Sequence, residues 1–177
     1  MPSLISAFLI WKYPPDSSST SPESRDHSDW GFNIPVIDLY GLQTHMYIHR
    51  RSDEHPIAEA LVLNGYLGTS PQSPSLAVSL KSLDLYHRIR LRKPSFSCEA
   101  FTKVVCDLYA VPYRRRYRTA MSDAFEVYLS ILRAVDKQVQ RVLGRDTPDW
   151  RVLNACPPCG YEVCIFLFPY LLYTDSV

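Results

Sequence analysis

The chain has 177 residues, enough for one ordinary domain, and 46% of them are hydrophobic, which permits a real core. Its 19 basic and 18 acidic residues nearly cancel, so only local clusters could attract a polyanionic partner. Five unevenly spaced cysteines without a secretory signal argue against a disulfide framework and favour an intracellular location.

The N-terminal segment 1–31 is expected to be disordered or to be a mispredicted start of the protein. Its stretch 14–22, PPDSSSTSP, has no periodicity and too few apolar groups to offset the entropy lost on ordering. The apolar residues 4–11 lack the basic region and the cleavage site of a signal peptide. We therefore expect the folded domain to begin at residue 32.

Two short extended segments, 34–40 and 45–49, predict a β-hairpin that turns at residues 41–44. Proline lacks a backbone N–H and is found mainly on edge strands, so Pro35 predicts that the first strand lies at a sheet edge. This hairpin is all the β structure that we predict.

Four helices are predicted after the hairpin, and the first three are short. The apolar run 58–63 ends before Gly65, which is a typical helix stop. The second helix has apolar residues at steps of four and three and ends at Pro94, while Ser95 or Ser97 can cap the third. The residues expected on the buried faces of the second and third helices are Leu76, Leu80, Leu83, Tyr86, Phe101, Val104, Val105 and Leu108.

The longest predicted helix runs from residue 119 to residue 143 and ends at Gly144, a left-handed cap. Its apolar residues alternate at steps of four and three, as in a core helix of a bundle or in a dimerising coiled coil. Leu129 and Ile131 widen the apolar face and favour the bundle. The residues of this heptad seam are Met121, Phe125, Tyr128, Leu132, Val135, Val139 and Val142.

These elements predict a mainly α fold: a small bundle of three to four helices with a short N-terminal β-hairpin and disordered ends. The helical domain is expected to span residues 32–160. The apolar segment 161–177 is too short to span a bilayer, which needs about 20 residues, and is expected to be an artefact of truncation.

Cys156 and Cys159 have the CxxC spacing that lets two thiolates bind one tetrahedral metal ion. A closed zinc site needs further ligands, and only Cys164 follows in the chain, so zinc could bind but its site is incomplete. The alternatives are a redox pair, for which no βαβ context is present, and an inert pair. Other potential ligands are Cys98, Cys106, His45, His49, His55 and His87.

Two basic clusters are candidate nucleic-acid contacts: HRIRLRK at 87–93 and YRRRYR at 113–118. Guanidinium groups pair with phosphates in a bidentate manner and tyrosines stack on bases, so either cluster could contact DNA. The alternative is solvated helix ends paired with nearby acids. The candidate residues are Arg88, Arg90, Arg92, Lys93, Arg114, Arg115, Arg116 and Arg118.

Motifs for catalysis are not found in the sequence. It has no glycine-rich phosphate loop, no serine nucleophile elbow and no HExxH zinc motif. Its acidic residues form no constellation suited to two-metal chemistry. We therefore predict no catalytic residue, no small-molecule substrate and no membrane partner.

Four segments carry a family resemblance through their order and spacing: AEALVLNGYLGTSP at 58–71, IRLRKPSFS at 89–97, VPYRRRYRT at 111–119 and DWRVLNACPPC at 149–159. Together they resemble the CxC-type cysteine-cluster region found ahead of KDZ (Kyakuja, Dileera, Zisupton) transposases in fungal mobile elements. The resemblance implies a transposon-derived nuclear module that binds zinc and either DNA or protein, with Cys156 and Cys159 on the cysteine-cluster pattern.

The chain departs from that family pattern at two places. The Cys-x-Cys pair expected ahead of Gly65 is missing, because residues 45–55 contain no cysteine. After Glu162 the sequence becomes apolar, where an acidic continuation toward the transposase core is expected. The resemblance therefore implies a chain without the catalytic core, and not an enzyme.

Two alternatives to a DNA-binding module stay open at this point. A protein–protein module would self-associate through the heptad seam, and the basic residues would then be incidental. A decayed open reading frame without selected activity would also account for the missing Cys-x-Cys pair and for the apolar tail.

Overall fold

The computed structural model of the protein describes residues 2–14, 30–50, 52, 55–70 and 72–154. The chain divides into two compact units, Met1–Ala134 and Val135–Val177, and the longest helix begins in the first and ends in the second. The elements in chain order are α1 Pro2–Lys12, β1 Phe32–Ile37, β2 His45–Ile48, α2 Ile57–Leu63, β3 Tyr66–Gly68, β4 Ala77–Ser79, α3 Leu80–Arg92, α4 Cys98–Leu108, α5 Arg115–Val142 and α6 Trp150–Leu153.

The first unit contains a mixed four-stranded sheet in the order β2-β1-β4-β3. Strand β1 runs antiparallel to β2 and parallel to β4, and β4 runs antiparallel to β3. The predicted hairpin is present as β1 and β2. The prediction of a small bundle of three to four helices is nevertheless wrong, because the sheet continues beyond the hairpin and the fold mixes α and β structure.

Strand β4 lies where the sequence predicted the beginning of a helix. Ala77, Val78 and Ser79 are all buried, so their side chains show none of the alternation that marks a half-exposed strand. Ser79 then caps α3 by accepting a hydrogen bond from the N–H of Ser82 at 3.2 Å. The apolar spacing that predicted a single helix therefore spans a strand and the start of α3.

Pro35 lies in an inner strand, so its predicted position at the sheet edge is wrong. Pairing of β1 with β4 begins at Val36, opposite Ala77, one residue after the proline. The N–H of Val36 points to the other side and donates to the carbonyl of Thr44 at 2.9 Å. Because successive N–H groups alternate, the N–H that Pro35 lacks falls on the β4 side, just before that ladder begins.

Disorder is predicted for the whole of segment 1–31, but residues 2–12 form α1, and residues 15–29 lie outside the described residues. Ala7 and Phe8 are each only 1% exposed. The Phe8 ring packs edge-on against Tyr128 of α5, with 6.2 Å between ring centroids. Trp11, in the last turn of α1, lies against Gly65. This glycine follows the end of α2 and has a positive φ of 86°.

Helices α3, α4 and α5 meet around the buried ring of Tyr86. Its centroid lies 4.9 Å from that of Phe101 in α4 and 4.7 Å from that of Phe125 in α5. Ser97 caps α4, accepting a hydrogen bond from the N–H of Ala100 at 3.0 Å, as predicted. A second apolar cluster joins α2 to the sheet and contains Ile34, Val36, Ile48, Ala60, Leu61, Tyr66 and Ala77.

The second unit is described up to residue 154. It contains the last turns of α5, then Gly144 with a positive φ of 64°, as predicted for the end of this helix, and then α6. The guanidinium of Arg145 stacks on the Trp150 ring at 4.9 Å. The predicted apolar tail lies outside the described residues. No helix in the described ranges is long and apolar enough to cross a membrane.

Candidate nucleic-acid interface

The candidate zinc ligands do not converge in the part of the chain that the structure describes. That part holds no group of three or more His, Cys, Asp or Glu side chains suited to a metal ion, and Cys156 and Cys159 lie outside it. The His49 ring packs edge-on against Tyr47, with 4.9 Å between centroids. His55 Nε2 lies 3.6 Å from a carboxylate oxygen four residues further along the chain.

Cys98 and Cys106 lie in α4, and their surroundings favour the protonated thiol. Burial raises the pKa of both thiols above the ordinary value for cysteine. The zinc ligands that the family resemblance implies, Cys156 and Cys159, lie outside the described residues, so the zinc site stays a prediction.

The basic residues at the end of α3 differ in their contacts. Arg88 Nε donates to Asp84 Oδ2 at 2.7 Å, so an acid on the same helix pairs with its charge. The Arg90 guanidinium instead lies 6.0 Å from the centre of the Phe125 ring. Arg92 is exposed, as is Lys93 just after the helix. A phosphate would therefore find Arg90, Arg92 and Lys93 more available than Arg88.

The arginines at the start of α5 contact different parts of the first unit. Arg116 Nη2 donates to the Tyr117 hydroxyl at 3.0 Å, and its guanidinium lies 4.9 Å from the centre of that ring. The carbonyl of Arg118 accepts a hydrogen bond from the Cys98 thiol at 3.7 Å. Arg114 and Arg115 are exposed. In the second cluster, Arg116 therefore contacts the Tyr117 ring, and the backbone of Arg118 contacts the start of α4.

The two basic clusters lie on helices that pack together, because the Arg90 guanidinium lies over Phe125 of α5 and the Cys98 thiol donates to the carbonyl of Arg118 in α5. The positive charges of Arg118 and Arg90 both act on this thiol, where they partly offset the rise in pKa that burial causes. Arg118 also helps to lower the pKa of Glu99, whose main partner is Lys103 at 2.8 Å. We call Arg90 and Arg118 the basic surface, and Lys103 is left out because the Glu99 carboxylate pairs with its charge. The two arginines come from separate sequence clusters, and the packing of α3 against α5 brings their helices together.

A cleft of about 740 Å³ opens between the end of β1, the start of β2, the loop before β4, α4 and the start of α5. Its floor is apolar and includes Val36, Val105 and Ala120, which are buried. Its polar lining residues are Thr44, His45, Thr69, Ser75, Thr102, Tyr109, Arg116, Tyr117, Thr119 and Asp123.

Tyr109 fixes one wall of the cleft. Its hydroxyl accepts a hydrogen bond from the N–H of Asp38 at 2.9 Å and lies within donating distance of the carbonyls of Asp38, at 2.7 Å, and Gln43, at 2.9 Å. Burial raises the pKa of this hydroxyl, so it remains protonated and able to donate. This wall is therefore held in place before any ligand binds.

The cleft and the basic surface meet at the start of α4. Thr102 lines the cleft one turn after Cys98, and its hydroxyl donates to the Cys98 carbonyl at 2.7 Å. Asp123 lines the cleft as well, and its negative charge acts on the Cys98 thiol. The junction between the cleft and the basic surface therefore carries charges of both signs.

The sequence predicted the arginines of this interface but not the cleft. The walls of the cleft come from segments that are far apart in the chain, such as 44–45, 69–76, 102–109 and 116–123. The ion pair between Glu99 and Lys103 was also missed, although a spacing of four residues on a helix is its usual signal.

Comparisons with protein-family models, curated proteins and solved structures find no match to this chain. The resemblance to the KDZ-associated cysteine-cluster region therefore stays a prediction. Any function assigned to the protein depends on the geometry of the basic surface and the cleft.

Proposed function

We propose that this protein is a non-catalytic nucleic-acid-binding module that contacts phosphates through the basic surface and the exposed arginines of 114–116. The exposed arginines at the start of α5, with Arg90 of the neighbouring helix α3 lying over Phe125 of α5 at 6.0 Å, carry this proposal. A DNA-binding role also agrees with the transposon-derived module that the sequence resemblance implies.

The position of the arginines supports phosphate binding for an electrostatic reason. Arg90 and Arg118 come from different helices, α3 and α5, which pack together where the Arg90 guanidinium lies 6.0 Å from the centre of the Phe125 ring. A phosphate that reaches either guanidinium accepts a charge-assisted hydrogen bond, which is about twice as strong as a neutral one. The near-zero net charge of the chain does not oppose this, since a local patch is sufficient for binding.

A titration of fluorescently labelled DNA, followed by anisotropy, tests the proposal. The double variant Arg90→Ala, Arg118→Ala should bind about tenfold or more weakly, because two charge-assisted contacts are lost. The affinity of the unmodified protein should also fall with added salt, with a log–log slope of about −0.7 to −0.9 per phosphate contacted.

The matched control is the double variant Lys81→Ala, Arg133→Ala. It removes the same charge from the same two helices, α3 and α5, at exposed positions outside the basic surface. Its affinity should stay close to that of the unmodified protein. An equal loss in both double variants, or no binding by the unmodified protein, would overturn the proposal.

Self-association through the last turns of α5 is a second candidate, favoured by the exposure of apolar side chains there. Val139 is 46% exposed and Val142 is 87% exposed. Met121, Phe125 and Tyr128 are buried in the first unit, so only the second half of the heptad seam could serve as an interface. A mass by sedimentation that rises with concentration, and that Val139→Asp and Val142→Asp abolish, would support it, whereas a constant monomer mass excludes it.

A further inference from the structure

The cleft combines an apolar floor, an aromatic wall and a polar rim that carries charges of both signs. Tyr117 and Arg116 stand together at one place, with the guanidinium 4.9 Å from the ring centre. Asp123 lies nearly two turns further along α5, where its charge acts on the Cys98 thiol. This separation suits a ligand with a flat, hydrogen-bonding group and attached anions.

We propose that the cleft holds an unstacked nucleobase, so that the protein binds single-stranded nucleic acid in preference to duplex. This inference rests on the proposed nucleic-acid-binding function and specifies its substrate class. Single strands present free base faces and edges, whereas in a duplex the bases are stacked and paired.

The cleft is large enough to hold a base and its sugar. Its volume of about 740 Å³ lies within the usual range for sites that bind small organic molecules. The buried side chains of Val105 and Ala120 form a floor on which a flat ring can lie. The Tyr117 ring is partly exposed and is contacted by the Arg116 guanidinium at 4.9 Å, and the rest of its surface is available for stacking.

The charged residues indicate where the phosphates and the base of such a nucleotide would lie. Arg116, which lines the cleft beside Tyr117, attracts the phosphates that flank the base. Asp123 repels phosphate, and its carboxylate accepts hydrogen bonds from amino groups such as N4 of cytosine. Thymine has the carbonyl oxygen O4 where cytosine has this amino group, so we expect cytosine to bind more tightly than thymine.

Anisotropy titrations with labelled oligo(dC), oligo(dT) and a duplex, each of about 12 nucleotides, test the inference. Single strands should bind about tenfold more tightly than the duplex, because stacking in the cleft adds to the phosphate contacts. Oligo(dC) should bind more tightly than oligo(dT), and Asp123→Asn should bring the two affinities closer together. Tyr117→Ala should weaken binding of single strands but not of duplex.

Tyr40→Ala is the matched control for Tyr117→Ala, because Tyr40 is 60% exposed and lies outside the cleft. Asp123 is exposed and asparagine has nearly its shape, so Asp123→Asn should fold normally. Failure of the unmodified protein to bind any of the three probes overturns both proposals.

A different result overturns the present inference alone. If duplex and single strands bind equally well, and Arg90→Ala with Arg118→Ala weakens both, the nucleic-acid-binding function stands and the base site does not. An unchanged ratio of oligo(dC) to oligo(dT) affinity in Asp123→Asn likewise rejects the role given to this carboxylate.

Discussion

Tyr109 joins α4 to the turn between β1 and β2 through one hydroxyl group. That group accepts from the N–H of Asp38, and its single hydrogen can be donated to the carbonyl of Asp38 or of Gln43. These contacts span 71 and 66 residues of sequence, so one side chain holds together parts of the fold that are distant in the chain.

Replacing Tyr109 with phenylalanine should therefore destabilise the protein. The N–H of Asp38 would lose its acceptor, which costs about 1–3 kcal/mol of unfolding free energy where the group stays buried. Urea denaturation followed by circular dichroism measures this loss. Tyr40→Phe is the control, because Tyr40 is 60% exposed, and it should change stability by less than about 0.5 kcal/mol. Equal stability of the two variants would contradict the role of Tyr109.

Tyr128 gives the stability a dependence on alkaline pH. Its buried hydroxyl donates to Asp84 Oδ1 at 3.1 Å, and burial, followed by the charge of Asp84 and this hydrogen bond, raises its pKa well above the ordinary value of 10.0. The unfolded chain thus releases this proton at a lower pH than the folded protein does. The contribution to stability is complete below pH 10 and is lost as the pH rises above it.

The unfolding free energy should accordingly fall as the pH rises above 10. Burial raises the pKa of Tyr66, Tyr86 and Tyr109 in the same direction, so they add to the fall. Denaturant titrations at a series of pH values measure the slope, which should be smaller in Tyr128→Phe. Tyr13→Phe is the control, since this residue is 68% exposed, and a slope unchanged in Tyr128→Phe would contradict the assignment.

At the scale of elements, Phe8 packs α1 against α5 within the first unit. This ring is 1% exposed and touches Trp11 and Tyr128, at centroid distances of 5.8 and 6.2 Å. Phe8→Ala would leave a cavity between α1 and α5 and should cost about 3–5 kcal/mol of unfolding free energy. Thermal or urea denaturation measures the change.

The control for Phe8→Ala is Ile10→Ala on the same helix. Ile10 is 52% exposed, so its truncation should have a much smaller effect. A Phe8→Ala protein as stable as the Ile10→Ala protein would show that α1 does not pack as described.

The helices that could be predicted from sequence are those with strong local signals. The predicted helix at 58–63 corresponds to α2, the Ser97 cap begins α4, and the helix predicted from residue 119 to residue 143 overlaps most of α5. Strands β3 and β4 were missed because each has three residues, too few for an alternating pattern. They are stabilised by pairing with distant segments, which local patterns do not record.

The heptad pattern predicted that α5 is amphipathic, but it did not predict which residues of the helix are buried. The buried residues of α5 are Ala120, Met121, Ala124, Phe125, Tyr128 and Ile131. Their spacing follows the 3.6-residue period of a helix that packs on a core, whereas a coiled coil has strict heptads. Small residues such as Ala120 and Ala124 belong to this face, and a search for large apolar residues does not find them.

At the scale of the whole molecule, the described core ends before the C-terminal unit begins. Every buried residue that the structure describes lies at or before Ile131, and the first unit extends to Ala134. The four strands and the packed part of α5 belong to this unit. The hydrophobic contacts that stabilise it are therefore present within residues 1–134.

A chain that ends at Ala134 should fold and melt cooperatively, with a midpoint close to that of the full chain. The residues it lacks from α5 are mostly exposed, and exposed positions contribute within about 0.5 kcal/mol each. Its circular dichroism should keep helical and strand signals, and its affinity for labelled DNA should match that of the full chain, because the basic surface and the cleft both lie before residue 134.

A chain that ends at Ala120 provides the contrast. It keeps the basic surface but lacks Phe125, which packs on Tyr86 at 4.7 Å, and Tyr128, which packs on Phe8 at 6.2 Å. Without these rings α3 and α1 lose their contact with α5, and we expect no cooperative melting transition. If both shortened chains fail to melt cooperatively, the first unit depends on residues after Ala134. If both shortened chains melt cooperatively, the aromatic contacts of α5 do not hold the fold together. Cooperative melting of the chain that ends at Ala134, without that of the chain that ends at Ala120, is the one result that agrees with a core completed between Met121 and Ile131.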